Sequence, residues 1–94
     1  MTAPLEPEQA DLIAAAVLEV PGVAGLHAGI FGEAVTVLPG RRIDGVVVGH
    51  ESCSVHIIVR YPGNPDAVAL AVQETLARTV RTPVVVTVED LTVD

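Results

Sequence analysis

CSVHIIVRYPGNPD, residues 53–66, joins the clearest strand of the chain to its clearest helix start. Cys53, Val55, Ile57, Val59 and Tyr61 alternate with Ser54, His56, Ile58 and Arg60. That period of two describes an extended segment with one apolar and one mixed face. Pro62 and Gly63 end it, and Asn64-Pro65-Asp66 then supplies a capping side chain, a proline at the first helical position and an acid facing the positive helix end. The spacing predicts a helix from Pro65 to about Val80 that packs through Val68, Ala71, Val72, Thr75, Leu76 and Thr79. Thr82-Pro83 separates it from a last strand, Val84 to Val93. Two strands joined through a helix are expected to lie parallel with a right-handed crossover if they share a sheet.

Working back toward the N-terminus, Pro7 to about Glu19 reads as a first helix, with Ala10, Ile13, Ala14, Val17 and Leu18 on one face and Glu8 and Asp11 near its positive end. Residues 1–6 form a flexible entry. Pro21-Gly22 stops the helix, and a strand-like stretch covers Val23 to Ala28. Ala34 to Leu38 reads as a further strand, Pro39-Gly40-Arg41-Arg42 as a turn, and Val46-Val47-Val48, between Gly45 and Gly49, as extended chain. The order is helix, two to four strands, helix, strand. This predicts an α/β two-layer sandwich of the α+β type, a mainly antiparallel sheet with two helices on one face. Residues 1–94 make a single domain, without repeat or linker.

Half of the 94 residues are apolar, yet only Phe31 and Tyr61 are aromatic, so the core is built from Val, Leu, Ile and Ala. A domain of this size buries roughly 60–65% of its unfolded surface. The formal charge is -7, and all five basic side chains are arginines: Arg41, Arg42, Arg60, Arg78 and Arg81. An acidic chain with scattered cations is poorly suited to nucleic acid, whose binding draws on cations meeting phosphates, and to anionic lipid for the same reason. A protein or a small molecule is the expected partner. The lone Cys53 excludes an internal disulfide and suits a reducing, cytoplasmic compartment. The first residues lack the pattern of a secretory signal, and no apolar run is long enough to span a bilayer. Work at a membrane would require another molecule to hold the chain there.

Candidate chemistry is thin. His50, Cys53 and His56 are all metal-ligand types, but along a strand positions 50 and 56 face one way and 53 the other, so no metal site is assigned. Cys53 has no histidine placed by spacing to serve as its base, and nothing in the sequence brings His27, on another strand, to it. Glu51, Glu89 and Asp90 show no pairing that would make an acid and base, and no hydrolase or phosphate-loop motif is present. The chain is therefore read as a non-enzyme without a cofactor. Gly22-Val23-Ala24-Gly25 has the GxxG spacing of KH domains, which clamp nucleic-acid backbones, but lacks flanking cations and reads as a helix-to-strand corner. Arg41 and Arg42 are a loop that could contact an acidic group, although a solvated turn is the simpler reading. Ile58 and Val85, with Arg60 and Thr87, fall on the mixed side of their strands. If no helix covers that side, they form a surface for self-association or a protein partner.

As a whole the pattern resembles the alkaline shock protein family, the envelope stress response family of Gram-positive bacteria. The resemblance runs from about Leu5 to Val93 and rests on Val20-Pro21-Gly22-Val23, Gly45-Val46-Val47-Val48, the long strand ending at Tyr61, the helix beginning beside Asn64, and Val84-Val85-Val86-Thr87-Val88. The chain departs from the family in Tyr61-Pro62-Gly63, where Tyr-Gly is usual, and in Val85, where a polar residue is frequent. The resemblance implies a non-enzymatic, cytoplasmic scaffold or adaptor. Such a protein would self-associate as a homo-oligomer and reach the membrane peripherally through a small membrane-anchored protein partner. It implies no catalytic residues. Two other classes make different demands. A metal-handling module resembling small iron-sulfur assembly domains would need an exposed Cys53, and a KH-like nucleic-acid binder would need salt-dependent affinity for RNA.

Overall fold

The computed structural model describes residues 9–93. The expected helix start at Pro7 and Glu8 and the entry segment 1–6 lie outside them. In chain order the elements are α1 (Gln9–Leu18), β1 (Val23–Leu26), β2 (Val35–Leu38), β3 (Arg41–Asp44), β4 (Val46–Val48), β5 (Cys53–Arg60), α2 (Pro65–Leu76) and β6 (Val84–Thr92). The result is the expected α+β sandwich with a mostly antiparallel sheet.

β5 is the middle of the main sheet. Along one edge it pairs in parallel with β6, from Cys53↔Val84 to Arg60↔Thr92. Along the other edge it pairs antiparallel with two strands set end to end: β1, from Val23↔Val59 to Leu26↔Ile57, and β4, from Val46↔Val55 to Val48↔Cys53. Between them His56 bridges both, its carbonyl accepting from His27 N–H at 3.0 Å and its N–H donating to Gly45 O at 2.9 Å. β2 and β3 form a separate antiparallel ribbon. The ribbon is tied back by Gly45 N–H to Ala34 O at 2.6 Å and by the Thr36 hydroxyl to Val46 O at 2.5 Å.

The alternation that opens the sequence is the alternation of burial: Cys53, Val55, Ile57 and Val59 are buried and their neighbours are not. Both helices cover this face, with Ile13 and Val17 from α1 and Val68, Val72 and Leu76 from α2 in one aliphatic core. Full burial of each such side chain is worth about 1.5–3 kcal/mol. Asn64 caps α2 as expected, its Oδ1 accepting from Asp66 N–H at 2.9 Å and Ala67 N–H at 3.1 Å. Gly22 closes the corner after α1, lying against Val68 of α2.

Three expectations need correction. Leu18 is exposed, and Val20 takes its place in the core, because successive turns from Val17 to Val20 and from Val20 to Val23 fold the chain inward past the helix end. Thr79 is exposed and Val80 buried, because α2 ends at Leu76 and a tighter turn, Thr79 N–H to Leu76 O, shifts the facing by one position. Arg41 and Arg42 are not turn residues. The pair Leu38↔Arg41 leaves only Pro39 and Gly40 as the hairpin loop, so both arginines belong to β3. Among the described residues, no helix is long and apolar enough to cross a membrane.

Candidate functional site

The face of β5 turned away from the helices carries Ser54, His56, Ile58 and Arg60. The parallel register sets Val85 beside Ser54, Thr87 beside His56, Asp90 beside Ile58 and Thr92 beside Arg60. Ile58, Val85, Arg60 and Thr87 thus share the face predicted for them, but they do not form one apolar patch. Ile58 is half-buried between Gly25 of β1 and Asp90 of β6, while Val85, 50% exposed, lies at the far end of the strand pair. Polar side chains occupy the space between.

Those side chains are the chief surprise of this face. His56 Nδ1 stands 2.5 Å from Glu89 Oε2, and the two side chains are only 15% and 9% exposed. Glu89 reaches this position through an irregularity in the sheet. Val88 pairs with Ile57 and Asp90 with Ile58, so Glu89 is an extra residue in β6, a bulge that directs its carboxylate to the histidine.

A third group, Glu33, arrives from the loop between β1 and β2. That loop is held by Gly32 N–H to Gly29 O at 3.0 Å and Ala34 N–H to Ala28 O at 2.7 Å. The Glu33 carboxylate accepts from Phe31 N–H at 3.0 Å. It nests against Gly29, where a Cβ would lie 2.5 Å from its Oε1. Gly29 N–H in turn donates to His27 Nδ1 at 2.9 Å, so a neutral His27 carries its proton on Nε2. The backbone N–H groups of Glu33 and Phe31 hold the Glu33 carboxyl below its ordinary value of 4.5 against the opposing effect of burial, with lesser contributions in the same downward direction from His56 and His27.

Glu33, His56 and Glu89 each offer one ligand atom, and these atoms lie within 4.8 Å of one another. His50, Cys53 and His56 do not converge. His50 is exposed in the loop after β4, while Cys53 is fully buried on the helix side, where burial pushes its thiol up from 9.0. The iron-sulfur reading thus lacks the exposed thiol that it needs. Arg41 and Arg42 each lie beside an acidic side chain of the chain itself. Arg41 pairs with Asp11 of α1 through both guanidinium nitrogens, with Nη2 at 2.8 Å from Oδ2, and Arg42 Nε lies 3.0 Å from Asp44.

Two features escaped the sequence reading. Strand period places His56 and Glu89 on one face, but only the register brings them together, and only the loop fold adds Glu33. At the tip of that same loop, Ile30 and Phe31 project into solvent, 79% and 89% exposed. Comparison of the chain with family models, with curated proteins and with solved structures yields no match.

Proposed function

We propose that the protein is a small non-enzymatic scaffold or adaptor that self-associates and engages a protein partner. The observation that carries this reading is the outer edge of β6. It is a nine-residue strand that pairs with β5 alone, and no described strand covers its other side. Edge strands are templates for pairing with another chain, and proteins normally shield them with charge, proline or bulges. Here the charged and bulged part begins only at Glu89; before it the Gln73 amide of α2 donates to Val84 O at 3.0 Å, which leaves the edge open over Val85-Val86-Thr87-Val88.

A second copy is the partner that this segment fits best. In an antiparallel pairing centred on Val86, Val84 faces Val88 of the other copy and Val85 faces Thr87. Directly opposed residues share a face, so the two helix layers fall on the same side of one continuous sheet. Continued outward, this register brings Pro83 and Thr82 opposite Glu89 and Asp90, so like charges do not meet. The exposed Ile30-Phe31 tip is then left for a different protein. The resemblance to the alkaline shock protein family supports an envelope or general stress role in the cytoplasm, with membrane attachment through a small anchored partner.

Light scattering across the micromolar range tests self-association. Dimers or larger assemblies are expected, and Val85→Asp, which leaves the core untouched, should shift them toward monomer. A strictly monomeric parent chain would refute the reading. Affinity capture from the native host with its membrane fraction tests the second part, for which recovery of no membrane protein counts against an anchored partner.

A further inference from the structure

We propose that Glu33, His56 and Glu89 bind a single divalent transition-metal ion of the zinc class. The inference stands apart from self-association and uses different residues.

The three side chains come from a loop, the central strand and the edge strand, and meet on the sheet face opposite the helices. One imidazole and two carboxylates form a nitrogen and oxygen donor set that suits zinc and its first-row neighbours, whereas calcium and magnesium favour oxygen alone. Three protein ligands leave a fourth position for water or for a group brought by a partner. Glu33 is exposed and the other two are largely covered, which gives the ion a solvent-side entrance and a protein floor.

The distances require adjustment in both directions. Two ligands held at zinc's usual bond lengths of about 2.0–2.1 Å in a tetrahedral site lie about 3.3 Å apart. His56 Nδ1 and Glu89 Oε2 are 2.5 Å apart, so an entering ion would open the pair by about 0.8 Å. The donor atoms lie within 4.8 Å of one another, so the wider separations must close by up to about 1.5 Å, which the exposed Glu33 side chain can supply. Two carboxylates beside one imidazole also leave negative charge uncompensated at a site where His56 and Glu89 are mostly withdrawn from water. A divalent cation bound there would balance that charge.

Gly29 is the positioning residue. A methyl group there would meet the Glu33 carboxylate at 2.5–2.6 Å, and Gly29 holds a φ of +93° that favours glycine, so a side chain would disturb both the loop backbone and the place of Glu33. His27 holds the Gly29 amide and thereby the loop.

Cobalt titration of the full chain is the test, because cobalt substitutes for zinc and reports its ligand field by visible absorption. The expected result is one saturable site with d–d bands, displaced by zinc, with affinity falling as pH drops below the histidine range because the ligands take up protons. His56→Ala and Glu89→Gln should each weaken binding about 100-fold or more. Gly29→Ala, which removes no donor, should weaken it by about 10–100-fold and alter the spectrum. His50→Ala and Cys53→Ala should leave it unchanged. Circular dichroism of each variant separates loss of a ligand from loss of the fold. Absence of cobalt bands, or affinity indifferent to His56→Ala in a folded variant, would overturn the proposal and leave the three groups as a proton-sharing cluster.

Discussion

Cys53 offers a sharp test of the packing, because a thiol reagent can reach it only when the sheet opens. It begins the central strand, pairs with Val48 on one side and Val84 on the other, and has no exposed surface. For 94 residues, about 0.05–0.15 kcal/mol per residue gives a global stability of about 5–14 kcal/mol. If exposure requires global unfolding, the lower figure, at about 1.4 kcal/mol per factor of ten, makes modification about 4,000-fold slower than in denaturant. The assay is the rate of reaction with an aromatic disulfide at neutral pH, in buffer and in concentrated urea, with the urea dependence followed in parallel by circular dichroism. The reaction free energy should fall with urea along the same slope as global unfolding. Protection below about 100-fold, or a rate insensitive to sub-denaturing urea, would mean that Cys53 is reached by local opening and would refute the account of a sealed core.

The same thiol gives a pH dependence. Its folded-state value lies above the ordinary 9.0, so its stabilising effect is intact below pH 9 and is lost as pH rises further, where the unfolded chain releases a proton that the folded chain keeps. Urea midpoints should therefore decline above pH 9, by at most about 1.4 kcal/mol per unit for this group, and Cys53→Ala should flatten the decline. Leu76→Ala empties a fully buried site and should cost about 2–5 kcal/mol, seen as a drop in thermal midpoint of about 4–8 °C per kcal/mol. Asn64→Ala removes the acceptor of two helix amides and should cost about 1 kcal/mol by urea unfolding. Asp11→Ala breaks a bidentate but exposed pair with Arg41, and the loss should stay below about 1 kcal/mol and shrink in salt.

The β5–α2–β6 unit was legible because its signals are local: period-two burial, an Asn-Pro-Asp start and a proline before the last strand. The same signals correctly divided β5 into a core face and an outer face, which kept Cys53 away from His50 and His56. The losses occurred where a single position of register matters. Arg41 and Arg42 looked like turn residues because nothing in the letters fixes a hairpin loop at two residues rather than four. Thr79 lies a turn beyond the end of α2, where helix periodicity no longer applies, and Leu18, the last residue of α1, yields its core place to Val20 because the chain folds inward after it. Glu89 needed a bulge to reach His56, and Glu33 needed the fold of an irregular loop. The period of two puts Glu89 on the outer face with His56 but does not show that they meet, and Glu33 leaves no periodic trace, so this cluster could not be found by spacing alone.

The meeting of β1 and β4 at His56 has a consequence for how the chain can be rebuilt. In an ordinary antiparallel ladder one residue would supply both the amide and the carbonyl opposite His56. Here His27 gives the amide and Gly45 the carbonyl, so residues 28–45 are spliced into what is geometrically one uninterrupted strand. Their excision would let His27 lead directly into Val46 and restore the ladder without moving either flank. The ribbon and the Ile30-Phe31 tip are thus a cassette mounted on a simpler helix–strand–strand–helix–strand frame. Exchanging that cassette for another of similar end spacing would change the surface it presents, provided the replacement also covers the core where Ile43 packs and α1 where Arg41 meets Asp11.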